Sequence, residues 1–356
     1  MDWIRLDRNE NQYGPAPGCL AAIRNADVAE LSLYSRDYEA GRKSMLSARL
    51  SEVLAIPEEN VVLSYGSEDM LKQAVHCYLR PGATMLLPQH SWWYYKSLAA
   101  EVDGNQVVYP LVERGNTFAY DPTAINVFYD LHHPDVILIA SPNNPTGNSI
   151  SPEDLESVLH HCADAVIVLD QAYAGFSSRE ESPMRRLLEQ HPRLIVLRTF
   201  AKFYALAGLR IGYAGVGANL QRLLRYSARY LGYHRLSEKA ALAALDDPEY
   251  YRAMAHRMAG DRKAYEIQFS SFPGFTAFSS DANFILVRYQ RQLRPLLTDG
   301  LRRRMIQVKF LDDPGLIDCM RITIGTGEQN ARVRLALGEI LQELAPPGHH
   351  ASAAKS

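Results

Sequence analysis

Residues 198–212, RTFAKFYALAGLRIG, place Lys202 in a turn of small and aromatic residues, with Arg210 eight positions downstream. An amine in such a setting can condense with an aldehyde to give a Schiff base, and an arginine offers a permanently charged planar fork that suits a phosphate. A small molecule carrying both groups is pyridoxal phosphate, so the pair reads as one anchor for each end of that cofactor. Alone, the stretch is weak evidence, because a lysine beside aromatics is more often a surface side chain lying over apolar neighbours.

Two upstream segments change the balance. SPNNPTG, residues 141–147, follows the apolar run VILIA, and VIVLDQAYAGF, residues 166–176, carries a carboxylate at the end of its own apolar run. Side chains just past such runs gather at the carboxyl edge of a parallel sheet. A pyridine nitrogen needs a carboxylate to keep it protonated, which Asp170 can provide, and a phenolate oxygen needs neutral donors, which Asn144 and Tyr173 can provide.

With these residues in view, the chain resembles the fold-type I pyridoxal phosphate enzymes, within them the class I and II aminotransferases, and most of all the histidinol-phosphate aminotransferases. The resemblance spans nearly the whole chain. The family's opening NENPYGP is NENQYGP at residues 9–15, and its glycine turn before a helix is Gly66-Ser67-Glu68-Asp69. Its strand end P-x-P-T-Y is matched by Pro88-Gln89-His90-Ser91-Trp92, and its R-I-T-x-G-T by residues 321–326.

By resemblance, the backbone amides of Ser67 and Glu68 bind the cofactor phosphate at a helix N-terminus. Trp92 stacks on the ring and Arg321 clamps a substrate carboxylate with two parallel bonds. Lys309, Asn11 and Tyr13 join the substrate-binding set. Tyr38, or Tyr34 near it, reaches the phosphate of a neighbouring subunit, which implies a homodimer. The implied reaction moves an amino group from an amino acid or amino alcohol phosphate to a 2-oxo acid, with Lys202 as Schiff base and as the base for proton transfer.

The departures from the family pattern bear on both ligands. Ala201 replaces a serine or threonine whose hydroxyl meets the phosphate, a loss of about 1 kcal/mol. Gln171 stands where the family has glutamate. Lys309 follows Val308 where many members have an arginine for the substrate phosphate, and Gly327 removes another positive charge. A lysine supplies a point charge instead of a fork. The aromatic run SWWYY, residues 91–95, packs beneath the cofactor in the plainer reading and walls a cationic or planar substrate side chain in the other. These departures keep open a second function: a cyclase, lyase or decarboxylase acting on an arginine-like amino acid, since one site architecture serves several chemistries.

The elements that must position these residues are also readable. VVLSYG, ATMLLP, QVVYPL, VILIAS, AVIVLD and RLIVLRTF alternate with helical stretches such as SPEDLESVLHHCA, where Ser151 and Asp154 form a cap signal. Such alternation gives an α/β fold with a mostly parallel sheet between helices. From about residue 281 the texture changes to the short strands ANFILVRY, MIQVKF and CMRITIG. The expected architecture is aspartate-aminotransferase-like: a large cofactor domain over residues 40–270, a smaller α+β domain over 271–345 joined by an N-terminal arm over 1–39, and a disordered tail over 346–356.

Composition is consistent with a globular enzyme. The chain has 356 residues, 47% of them hydrophobic, and a formal net charge of -2, which gives no electrostatic reason to expect nucleic acid. Its four cysteines, Cys19, Cys77, Cys162 and Cys319, have no metal-binding or disulfide spacing and read as cytoplasmic thiols. The polar N-terminus has no apolar run of signal-peptide type, and no stretch approaches a membrane span.

Overall fold

In a computed structural model, residues 2–179 and 182–342 are described; the tail expected at 346–356 lies outside them. Seven strands form the main sheet in the order Val61–Ser64, Gly212–Val216, Leu194–Thr199, Val166–Asp170, Val136–Ala140, Thr84–Pro88 and Asn105–Tyr109. Six run in one direction, and Gly212–Val216 runs antiparallel to both of its neighbours.

The central strands are runs of valine, isoleucine and leucine buried along their whole length, as a sheet covered on both faces requires. Alternation sorts their side chains. Ile137, Ile139, Ile167 and Leu169 enter one apolar layer, whereas Val136, Leu138, Val166 and Val168 enter the other. Asp170 follows the parity of Val166 and Val168, so its carboxylate emerges on the face covered by helices Ser67–Tyr78 and Trp93–Ala100.

Helix starts follow local chemistry. At Pro152–His161 the Ser151 hydroxyl accepts the Asp154 N–H at 3.0 Å, with proline at the first helical position. At Ser67–Tyr78 the cap is Gly66, with φ 85°, and no side chain fills the cap position. The first amides of that helix are therefore left to a ligand.

A second sheet runs Ile4–Leu6, Ile306–Phe310, Cys319–Thr323, Phe284–Arg288 and Thr276–Phe278. Its first strand lies parallel to Ile306–Phe310 and the remaining pairs are antiparallel. The N-terminal residues thus join the late chain, and residues 7–10 pass on from this sheet to the edge of the first.

Candidate active site

Most of the residues singled out by their chemistry meet in one cavity of about 560 Å³. The topology explains how. Ser67, Trp92, Asn144, Asp170 and Lys202 each stand at or just past the carboxyl end of a parallel strand. Arg210 precedes the reversed strand Gly212–Val216, whose amino end therefore lies at the same edge. Arg321 and Lys309, partners in register on two strands of the second sheet, complete the lining.

At the base, Asp170 is only 5% exposed. Its Oδ2 accepts the Tyr95 hydroxyl at 2.7 Å and its Oδ1 accepts the Ala172 N–H at 2.9 Å. Burial raises the carboxyl pKa from 3.8 to about 6, against the pull of these two donors. The Tyr173 hydroxyl accepts from Asn9 Nδ2 at 2.9 Å. Lys202 Nζ donates to the Arg8 carbonyl at 3.0 Å and stands 5.7 Å from the centre of the Tyr173 ring.

Arg210 lies against the glycine turn. A Cβ on Gly66 would come within 2.8 Å of Arg210 Nη2, and one on Gly212 within 2.8 Å of the Ser67 amide nitrogen. Only hydrogens at both positions leave this narrow cradle open. The Glu68 carboxylate stands 3.7 Å from Arg210 Nη2, a half-exposed pair. Thr199 also lines the cavity, its hydroxyl accepting the Ala201 N–H at 3.0 Å.

Arg321, on the smaller sheet, is buried. Its Nη1 donates to Asn144 Oδ1, its Nη2 donates to the Asp7 carbonyl at 2.6 Å, and its Nε is buried with no partner among the described residues. Burial pulls its pKa down from the usual arginine value, so this cation is poorly compensated and suited to an anion. Lys309 is exposed at the rim.

Three expected residues lie elsewhere in this chain. Asn11 is buried, with Nδ2 donating to the Phe203 carbonyl at 3.0 Å. Tyr13 is held through its carbonyl, which accepts the Tyr250 hydroxyl at 3.2 Å. Tyr38 is 51% exposed, its ring edge-on to Tyr230 at 4.8 Å. The aromatic run divides as well: Trp92 and Trp93 line the cavity, with Trp93 65% exposed, while Tyr94 packs on Trp92 at 5.1 Å outside it.

The sequence shows Tyr95 only as one of an aromatic run and Asn9 only as the first residue of a motif, and it gives Thr199 and the carbonyls of Asp7 and Arg8 no role. Tyr95 lies on the first turn of the helix that follows the strand Thr84–Pro88, and its hydroxyl reaches the end of Val166–Asp170, two strands away in the sheet. The backbone carbonyls carry no residue signature at all.

The donor set fits pyridoxal phosphate. The uncapped helix start at Ser67 and Glu68, together with Arg210, would take the phosphate, Asp170 the ring nitrogen, Asn144 and Tyr173 the phenolate oxygen, and Lys202 the aldehyde carbon. The profile of the family "Aminotransferase class I and II" matches residues 1–337. A histidinol-phosphate aminotransferase of Ruminiclostridium cellulolyticum is 31% identical over 333 residues, covering 92% of this chain and 90% of that protein. Another of that name, from Roseiflexus castenholzii, is 31% identical over 345 residues, with 96% and 90% covered. The crystal structure of histidinol-phosphate aminotransferase from Sinorhizobium meliloti in complex with pyridoxal-5′-phosphate superposes with a TM-score of 0.86 at 24% identity, over 97% of this chain and 92% of that one. A lysine, a buried aspartate and a glycine cradle at the carboxyl edge of one sheet, in a chain matched along its length, place this protein in the class I and II aminotransferases, enzymes that work with pyridoxal 5′-phosphate.

Proposed function

We propose that the chain exchanges an amino group between an amino alcohol phosphate of the histidinol phosphate kind and a 2-oxo acid. The observation that carries this reading is Arg321, buried, with an unpartnered Nε and with Lys309 beside it on the adjacent strand. One cation pair would meet the phosphate of the donor in one half-reaction and a carboxylate of the acceptor in the other. The relatives' names point the same way. Elimination, ring closure or decarboxylation of an arginine-like substrate is not favoured by them.

Pyridoxal phosphate supplies an aldehyde carbon that takes the amino group and a ring that accepts the electron pair. The protein's own groups would do the rest. Lys202 Nζ, once free of the Arg8 carbonyl, would carry the proton off the amine-bearing carbon of the substrate. Asp170 would hold a proton on the ring nitrogen, and Trp92 would cover one face of the ring. Arg321 would fix the substrate so that this carbon stands within reach of Nζ.

We further infer that the cofactor unit is residues 40–270, with a smaller unit over 271–345 and the arm over 1–39. Tyr38, exposed and outside the cavity of its own chain, would serve the phosphate of a second copy in a homodimer. Asn11 and Tyr13 would act on substrate by holding the segment that contacts Lys202 and Arg321. No helix among the described residues is long and apolar enough to cross a membrane, and the four cysteines are free and buried, which suits a cytoplasmic enzyme.

The test is a single-turnover reaction of the cofactor-loaded protein with histidinol phosphate, phenylalanine and arginine, separating the cofactor forms by chromatography. Stoichiometric pyridoxamine phosphate with histidinol phosphate is the expected result. Consumption of arginine with the cofactor left as aldehyde would overturn the reading.

A further inference from the structure

We propose that Tyr95 is a positioning residue for the cofactor ring: its hydroxyl holds the Asp170 carboxylate ionised and turned so that a protonated pyridine nitrogen can pair with it. The inference rests on Asp170 as partner of that nitrogen, and it assigns to Tyr95 a duty beyond packing.

The geometry separates the two roles. The Tyr95 ring is 4% exposed and meets Trp92 edge-on at 5.7 Å, so a phenylalanine would fill the same space. The hydroxyl makes one hydrogen bond among the described residues, to Asp170 Oδ2 at 2.7 Å, a length typical of a charge-assisted bond. No cation pairs with Asp170 among the described residues. Among the described residues its charge is met by the Tyr95 hydroxyl and the Ala172 N–H, one donor on each oxygen.

Two donors on separate oxygens also fix the carboxylate plane. The backbone donor belongs to the chain turn after the strand and survives any side-chain change. The Tyr95 donor is the removable one. Burial alone drives a carboxyl toward its protonated form, and a protonated Asp170 would surrender its hold on the ring proton. Burial and the adjacent charge both raise the phenol pKa, so Tyr95 stays a donor.

Tyr95→Phe keeps the ring and removes the donor. With ring-¹⁵N pyridoxal phosphate bound, the nitrogen resonance of this variant is expected to move from the pyridinium position toward that of unprotonated pyridine at neutral pH. Turnover should fall by roughly ten- to a hundredfold with KM changed less than about threefold, as loss of a charged hydrogen bond acting on the ring predicts. Tyr94→Phe, one residue earlier on the same helix, should move neither quantity. 4-Aminophenylalanine at position 95 restores an N–H donor and should return the resonance toward the pyridinium position.

Asp170→Asn distinguishes the two ways of failing. If it leaves the resonance at the pyridinium position, Asp170 is not the partner and the underlying reading falls. If Asp170→Asn moves the resonance and a folded Tyr95→Phe does not, the role of Tyr95 alone is overturned. Should Tyr95→Phe not fold, a 4-aminophenylalanine variant whose resonance stays at the unprotonated position overturns it equally.

Discussion

Arg321 and Asn144 meet across the two sheets: the guanidinium Nη1, from a strand of the smaller sheet, donates to the Asn144 side-chain oxygen in the turn after Val136–Ala140. With the Asp7 carbonyl on Nη2 at 2.6 Å, this contact sets the plane of a buried fork before any substrate arrives. Asn144→Ala should therefore weaken binding of an anionic substrate without touching the anion. We expect KM to rise about tenfold, the effect of one charge-assisted bond lost. Arg321→Lys should do more, because a point charge cannot replace a bidentate fork. Steady-state kinetics with donor and acceptor varied separately checks both.

The glycine cradle gives a second test. Gly66 combines a left-handed φ of 85° with a Cβ direction that ends 2.8 Å from Arg210 Nη2. Gly66→Ala must strain the backbone and displace the arginine. Cofactor affinity should drop at least about tenfold while the purified protein remains folded, since the strain of one such residue is on the order of 1–3 kcal/mol. Equilibrium dialysis of pyridoxal phosphate against the apoprotein measures it.

Asp170 predicts a pH dependence of the cofactor-free fold. Its carboxyl pKa is about 6 in the folded chain against an ordinary 3.8, with burial as the main cause. In that window the folded state keeps a proton that the unfolded chain releases, so stability is fully present below 3.8 and is lost as pH rises to about 6. The loss is on the order of 3 kcal/mol, because each tenfold change in proton affinity is worth about 1.4 kcal/mol. Asp170→Asn does not titrate. Its stability relative to the parent apoprotein should climb between pH 4 and pH 7 and level off above, as read from urea midpoints at each pH.

What the residues disclosed beforehand follows from how each signal is carried. The strands at 136–140, 166–170 and 194–199 are runs of branched apolar residues, and their polar ends name Asn144, Asp170 and Lys202 directly. The reversed strand Gly212–Val216 was not legible, because GYAGV has two glycines and takes its place from pairing with both neighbours. The same holds for residues 7–10. Their contribution is two carbonyls, on Arg321 and Lys202, plus Asn9 in a left-handed conformation with φ 56°, and only the folded chain brings them there. Tyr95 was visible as an aromatic but not as a donor, since its partner lies 75 residues away.

The rim charge provides the last test, and it separates phosphate from carboxylate recognition. Lys309 is exposed and sits opposite Arg321 in register, so it adds a mobile charge to a fixed fork. Lys309→Ala should raise KM for a phosphorylated amine by about three- to tenfold, in keeping with roughly 1 kcal/mol from a solvent-exposed charge contact. The same change should leave the unphosphorylated amine within about twofold, because that substrate offers the lysine nothing to pair with. Salt should mimic the mutation: at about 0.5 M the parent enzyme loses most of its preference for the phosphorylated amine, while the Lys309→Ala variant hardly responds. Equal effects of the mutation on both amines would remove Lys309 from substrate recognition and leave the anion to Arg321 alone.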